Sequence, residues 1–300
     1  MNRLILASAL SLIAPAVMAE GFSAAAQTML AEFAKSTGQS SLLDAGVPQA
    51  PVPVLGKKLE GKFVLVYQPG KTPQGIKWER ILKEAKIYEQ AVTELNAKFS
   101  LPYDLTIEAR ECGEANAWYH SEERKITLCY EETANTARLL KKQTKPKKNA
   151  DALALGDAIH TLLHETGHAL IDIFNLPAVG REEDAVDQFA TLTLLKSGES
   201  GEMAAQIAAM SFFLSGKESR KKHEKLDYWD EHSFDKQRYY DILCLVYGKD
   251  PDKYADLVPK KLPQARADQC PAQYEKLDAA WDTLLAPHRK NPLASTPSAK

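Results

Sequence analysis

The stretch His164-Glu165-Thr166-Gly167-His168 holds the densest concentration of reactive side chains in the sequence. Residues four apart on a helix share a face, so the two imidazoles can reach one ion. Glu165 points to a neighbouring edge, where it can touch a metal-bound water without displacing it. So arranged, His164 and His168 would bind Zn²⁺ and Glu165 would act as general base in a hydrolysis. Gly167 lowers helix propensity with no local gain, but it allows another backbone or a substrate to come close.

Two histidines leave such an ion short of a ligand. Metzincins supply a third histidine at a fixed short spacing; here Ala169-Leu170-Ile171-Asp172 follows instead, which excludes that class. The other common solution is an acidic residue from the next helix. Beyond a turn at residues 175–180, the segment Arg181 to Ala190 is again helical and carries Glu182, Glu183, Asp184 and Asp187. The helix dipole favours acids in a first turn in any case, which does not account for Asp187 one turn further in. Glu183 is the expected third ligand, with Asp184 and Asp187 as alternatives. Asp172 and Asp187 are placed to accept the second N–H of a ligand histidine and fix its tautomer. His160, one turn before His164 on a similar face, reads either as a residue that supports a ligand from behind or, the preferred reading, as an ordinary helix-surface histidine.

The element that must present this motif is a helix over Asp157 to Phe174, with Leu155, Ile159, Leu162, Leu163, Leu170 and Ile173 on its apolar side. Ahead of it, Phe63 to Tyr67 is an apolar strand closed by Pro69-Gly70. Trp78 to Phe99 has one continuous helical periodicity, and Leu105 to Ala109 alternates as a strand. Ala115 to His120 and Lys125 to Tyr130 are two more strands around a polar turn. The basic run Lys141 to Asn149 reads as a solvated loop. From Ala150 onward the pattern is helical. The order predicts an α+β fold in which a small mixed sheet with one helix precedes a mostly helical half carrying the metal site.

The chain has 300 residues, 44% of them hydrophobic, and a formal net charge of −2. That balance suits a globular protein and gives no reason to expect nucleic acid as a partner. Met1 to Ala19 has a basic start, a short apolar run and small residues before Glu20, the features of a cleaved secretory signal peptide. Export to the periplasm or medium is therefore expected, without stable membrane insertion. Residues 20–56 read as a short helix over Gly21 to Ser36 and a Pro-rich linker, 57–286 as the globular domain, and 287–300 as a disordered tail. Cys112, Cys129, Cys244 and Cys270 suggest two disulfides in an oxidising compartment. Three pairings are open, and nearness in sequence favours Cys112–Cys129 and Cys244–Cys270.

The motif His164-Glu165-x-x-His168-x-x-x-Asp172 followed by Glu183-x-x-x-Asp187 resembles the gluzincin group of metallopeptidases. More closely, the chain resembles a family of bacterial exported proteins of unknown function regarded as metallopeptidases. Cys112-Gly113-Glu114-Ala115-Asn116-Ala117-Trp118-Tyr119, Ile126 to Glu131, and Glu231-His232-Ser233 with Gln237-Arg238 carry that likeness, which spans about Lys62 to Cys270. It implies a zincin-like fold, zinc, and a peptide or protein substrate. It implies an edge strand pairing with an extended substrate, either Ala115 to Tyr119 or Ile126 to Tyr130. It also implies an oxyanion stabiliser from a later segment, for which His232 is the candidate, with Arg238 and Tyr239 behind it. The competing readings are a non-enzymatic envelope binding protein that keeps the fold, and a zinc hydrolase of cell-wall peptides.

Overall fold

In a computed structural model, residues 60–142, 149–221 and 228–290 are described. The expected signal peptide, the helix over Gly21 to Ser36, the linker to residue 56 and most of the basic run lie outside them. Four strands form one sheet: β1 (Phe63–Tyr67), β2 (Leu105–Arg110), β3 (Ala117–His120) and β4 (Lys125–Cys129), in the order β1-β2-β4-β3. β1, β2 and β4 run parallel, and β3 pairs antiparallel with β4 through Trp118↔Thr127 and Tyr119↔Ile126. β3 is therefore an outermost strand. Phe63, Leu105, Ile107 and Ile126 bury their side chains in the core, as alternation along a half-covered strand requires.

The periodicity of Trp78 to Phe99 resolves into two helices, α1 (Pro73–Ala85) and α2 (Ile87–Lys98), rather than one. Thr72 caps α1 by accepting the Gly75 N–H, and Pro73 starts it. Lys86, with φ 55°, breaks the run while its own N–H closes the last turn onto Leu82. The break turns α2 onto β1, where the Asn96 amide accepts from Phe63 N–H and donates to Phe63 C=O.

After β4 the chain enters α3 (Tyr130–Lys141), then α4 (Asn149–Phe174), α5 (Glu182–Leu195), α6 (Gly198–Lys221) and α7 (Asp235–Lys249). A short α8 (Gln264–Ala267) and α9 (Cys270–Leu285) complete the helical half. α4 packs against α3, α5 and α6, and its sheet side meets β3 and β4. Ala154, Leu162, Ala169 and Leu170 on this helix are fully buried, so it is the axis on which both halves are built. The fold is α+β, as expected.

Both disulfides follow the pairing that sequence proximity favours. Cys112–Cys129 ties the segment after β2 to the end of β4, and Cys244–Cys270 joins α7 to α9. Residues 287–290, read from sequence as the start of a loose tail, are structured. A 3₁₀ turn covers Ala286–His288, and Arg289 forms a bridge with Phe99.

Candidate metal centre

α4 delivers His164 and His168 on one face, their rings 5.0 Å apart. The chain then turns tightly: Asn175 (φ 48°) and Gly180 (φ 104°) take left-handed backbone, and Leu176 N–H bonds back to Ile171 C=O. This brings α5 alongside α4. A Cβ at Gly167 would stand 2.8 Å from Val186 Cβ and Cγ1, so the glycine is the contact that admits the second helix. Close approach here is to another helix.

The result is a convergence of three side chains. Glu183 places Oε2 3.1 Å from His164 Nε2 and Oε1 3.2 Å from His168 Nε2. Each histidine gives its other nitrogen to a carboxylate: His164 Nδ1 lies 2.8 Å from Asp187 Oδ1, and His168 Nδ1 lies 2.8 Å from Glu182 Oε1. With Nδ1–H so donated, a neutral ring turns its Nε2 lone pair toward the centre. Glu183 Oε2 is buried and, despite its close neighbours, receives no well-directed hydrogen bond. A buried orphan oxygen among imidazole nitrogens suits a divalent ion. Three donors from two histidines and a carboxylate match what zinc takes.

His232, in the segment before α7, also reaches the centre. Its Nε2 is 3.0 Å from Glu183 Oε2, and its Nδ1 is 3.0 Å from Asp230 Oδ1. His164, Glu183 and His232 can each offer one atom to a common ion. Cys112, Cys129 and Glu131 also lie near one another; their sulfurs are joined to each other, so no thiolate is on offer there.

Electrostatics follow from burial and partners. Burial alone would raise the Glu183 carboxyl, but the three histidines hold it far below the usual range. Asp187 is likewise lowered, with the Arg238 charge and the His164 hydrogen bond overcoming burial. Burial pulls His168 down, but Glu183 and Glu182 outweigh it and lift the ring to about 9. His164 is raised for the same reason, through Asp187 and Glu183. Glu165 is buried, and that burial raises its carboxyl against the pull of His164 and His168.

Several expected residues sit elsewhere. Asp172 does not meet a histidine: Tyr119 Oη donates to its Oδ2 at 2.6 Å, tying β3 to α4. Glu182 occupies the place expected of Asp172, because the turn brings the start of α5 over His168. Asp184 is engaged by Ser233 Oγ at 2.6 Å and pairs with no histidine among the described residues. Arg238 grips Asp187 through Nε (2.6 Å) and Nη2 (2.7 Å), and its guanidinium stacks on Phe212; it supports the centre from behind. Tyr239 is buried against Phe213 and Tyr240. His160 is fully enclosed rather than on the surface, with Nε2 3.4 Å from Thr191 Oγ1. Burial presses its pKa down to about 3 and keeps it neutral.

Residues 67–285 match the model of a family, DUF4344, described as "Putative metallopeptidase". No match is found among curated proteins or among solved structures.

Proposed function

The chain belongs to the DUF4344 family, "Putative metallopeptidase", and on that footing we propose that it is an exported zinc peptidase of the gluzincin type, with a zincin-like fold. His164, His168 and Glu183 would hold the ion. The observation that carries the reading is that both His Nε2 atoms converge on the two oxygens of Glu183, with Glu165 beside them on α4.

Zinc, when bound, supplies Lewis acidity that makes water a better nucleophile and polarises a carbonyl. The protein does the rest. Glu182 and Asp187 fix the tautomers of His168 and His164. Glu165 has no hydrogen bond or ion pair among the described residues, so its carboxylate is available to take a proton from the attacking water. It then passes that proton to the leaving amine nitrogen. His232 Nε2–H is near enough to the centre to donate to the carbonyl oxygen as negative charge grows there. β3, as an outermost strand, offers an edge for an extended peptide.

Two disulfides suit an oxidising compartment and support export. Among the described residues no helix is long and apolar enough to cross a membrane.

The test pairs elemental analysis with turnover of an unstructured peptide library, with and without a chelator. Wild type is expected to carry zinc and cleave. Glu165→Gln is expected to keep zinc and lose about 10²- to 10⁴-fold in rate. A Glu165→Gln variant that cleaves as fast as wild type sinks the mechanism. Zinc with no cleavage of any peptide favours a binding protein.

A further inference from the structure

Three imidazoles around Glu183 are wired alike. His164, His168 and His232 each turn Nε2 toward this carboxylate, at 3.1, 3.2 and 3.0 Å. Each also has Nδ1 beside another carboxylate: Asp187 and Glu182 at 2.8 Å, and Asp230 at 3.0 Å. Asp230 Oδ1 accepts the His232 backbone N–H as well, at 2.8 Å, so this acid is seated on the segment that carries the ring. A carboxylate on Nδ1–H is what fixes a metal-binding imidazole with its Nε2 lone pair forward. A neutral ring in that tautomer can coordinate through Nε2 but cannot donate from it.

The spacing points the same way. Donor atoms about 2.0–2.1 Å from one four-coordinate zinc stand about 3.3 Å from each other. Glu183 Oε2 has two imidazole nitrogens close to that separation, His164 Nε2 and His232 Nε2. The donor atoms of these three side chains all lie within 4.8 Å of one another. Oε2 is buried, yet neither ring gives it a well-directed hydrogen bond. Lone pairs that face each other across such a gap repel unless a cation lies among them. His168 meets the other oxygen, Oε1. The orphan oxygen therefore sits between His164 and His232, and an ion that satisfies it is shared by both.

We infer that His232 is a fourth zinc ligand in the resting protein and that it yields its place when a peptide enters. Four protein donors close a zinc centre, whereas hydrolysis needs one position open. Of the four, His232 is the one able to leave. His164 and His168 are fixed on α4 and Glu183 on α5, with little side-chain exposure, while the His232 side chain is 44% exposed on a segment outside any helix. Beyond Asp230, that segment is held by Arg181 Nη1 on the His232 C=O at 3.3 Å and by Ser233 on Asp184. Donating to a substrate oxygen requires a proton on Nε2, which a coordinating ring lacks. The two roles of His232 are therefore successive: ligand first, donor once it has left the ion. The inference rests on the zinc peptidase reading and adds a closed resting state to it.

The experiment counts imidazoles on the ion by X-ray absorption at the zinc edge, using the untagged, zinc-loaded full chain without substrate. Wild type is expected to show three, and His232→Ala two with one more oxygen. Saturating acetohydroxamate, a small chelating carbonyl analogue, is expected to lower the wild-type count to two. Asp230→Asn is expected to weaken zinc binding about tenfold or more in competition with a chromogenic chelator. Two imidazoles in resting wild type overturn the inference and leave the zinc peptidase reading standing. A count of three that survives His232→Ala also overturns it, as does a count of three with the hydroxamate bound. Unchanged zinc affinity in Asp230→Asn counts against it too. A chain that takes up no zinc ends both readings.

Discussion

The Arg238 guanidinium holds both oxygens of the Asp187 carboxylate, at 2.6 and 2.7 Å, from a helix 51 residues further along the chain. Asp187 in turn faces His164 Nδ1 at 2.8 Å. A buried carboxylate fixed on both sides orients the imidazole that it touches and keeps it basic. Arg238→Gln is therefore expected to weaken zinc affinity about 10- to 100-fold with the helical content unchanged. Competition with a chromogenic chelator measures the first and circular dichroism the second. Unaltered affinity would show that Asp187 needs no second anchor.

Gly167 is where α4 and α5 touch. An alanine there places Cβ 2.8 Å from Val186 Cβ and Cγ1 and 3.2 Å from its Cα, and neither Cα nor Cβ can be moved by a rotamer change. Gly167→Ala is expected to destabilise the fold by about 1–3 kcal/mol through overpacking. Val186→Ala in the same chain should recover part of the loss. Urea unfolding of the two single variants and the double variant checks the coupling; strictly additive effects would count against this contact.

Zinc binding should release protons. His168 is lifted to about 9 and His164 is raised as well, so near neutral pH at least one ring holds a proton that a ligand nitrogen must give up. Calorimetric titration with zinc in buffers of different ionisation enthalpy is expected to give a slope of roughly one proton or more at pH 7. A slope of zero would mean that the rings are already neutral.

Glu132, on α3, sets a dependence of stability on pH. Burial, then the Asp157 charge, lift its folded value to about 7, above the ordinary 4.5. Between those values the native state holds a proton that the unfolded chain has lost. The contribution of this group is thus fully present below 4.5 and is lost as pH rises through 7. Glu132→Gln carries no such term. Its melting temperature relative to wild type should climb from pH 4.5 to 8, and a flat difference would contradict the burial of this carboxyl.

Much of the centre was legible because its parts are local. The i, i+4 histidines, the turn at 175–180 and an acid early in the next helix are all short-range features. Glu182 was read together with its neighbours as a dipole effect, and Asp172 looked the better partner for His168 because it lies one turn on. Only the rotation of α5 about its axis decides between them, and sequence does not encode that rotation visibly. Arg238 joins Asp187 across 51 residues, a relationship without any local mark. Helix α3 was missed: it buries Tyr130, Thr133, Ala134, Ala137 and Leu140, a face of small and hydroxyl residues that gives a weak apolar periodicity. The break at Lys86 has no glycine or asparagine to announce it. The sheet was easier to read, since its strands are short, branched and bounded by turns.

The contact between Gly167 and Val186 has an evolutionary side. Because the two helices are already as near as atoms allow, neither position can enlarge unless the other shrinks. Lineages of this family should therefore carry the pair as a covarying unit, and a larger residue at 167 would mark relatives in which the helix bearing Glu183 has drifted outward.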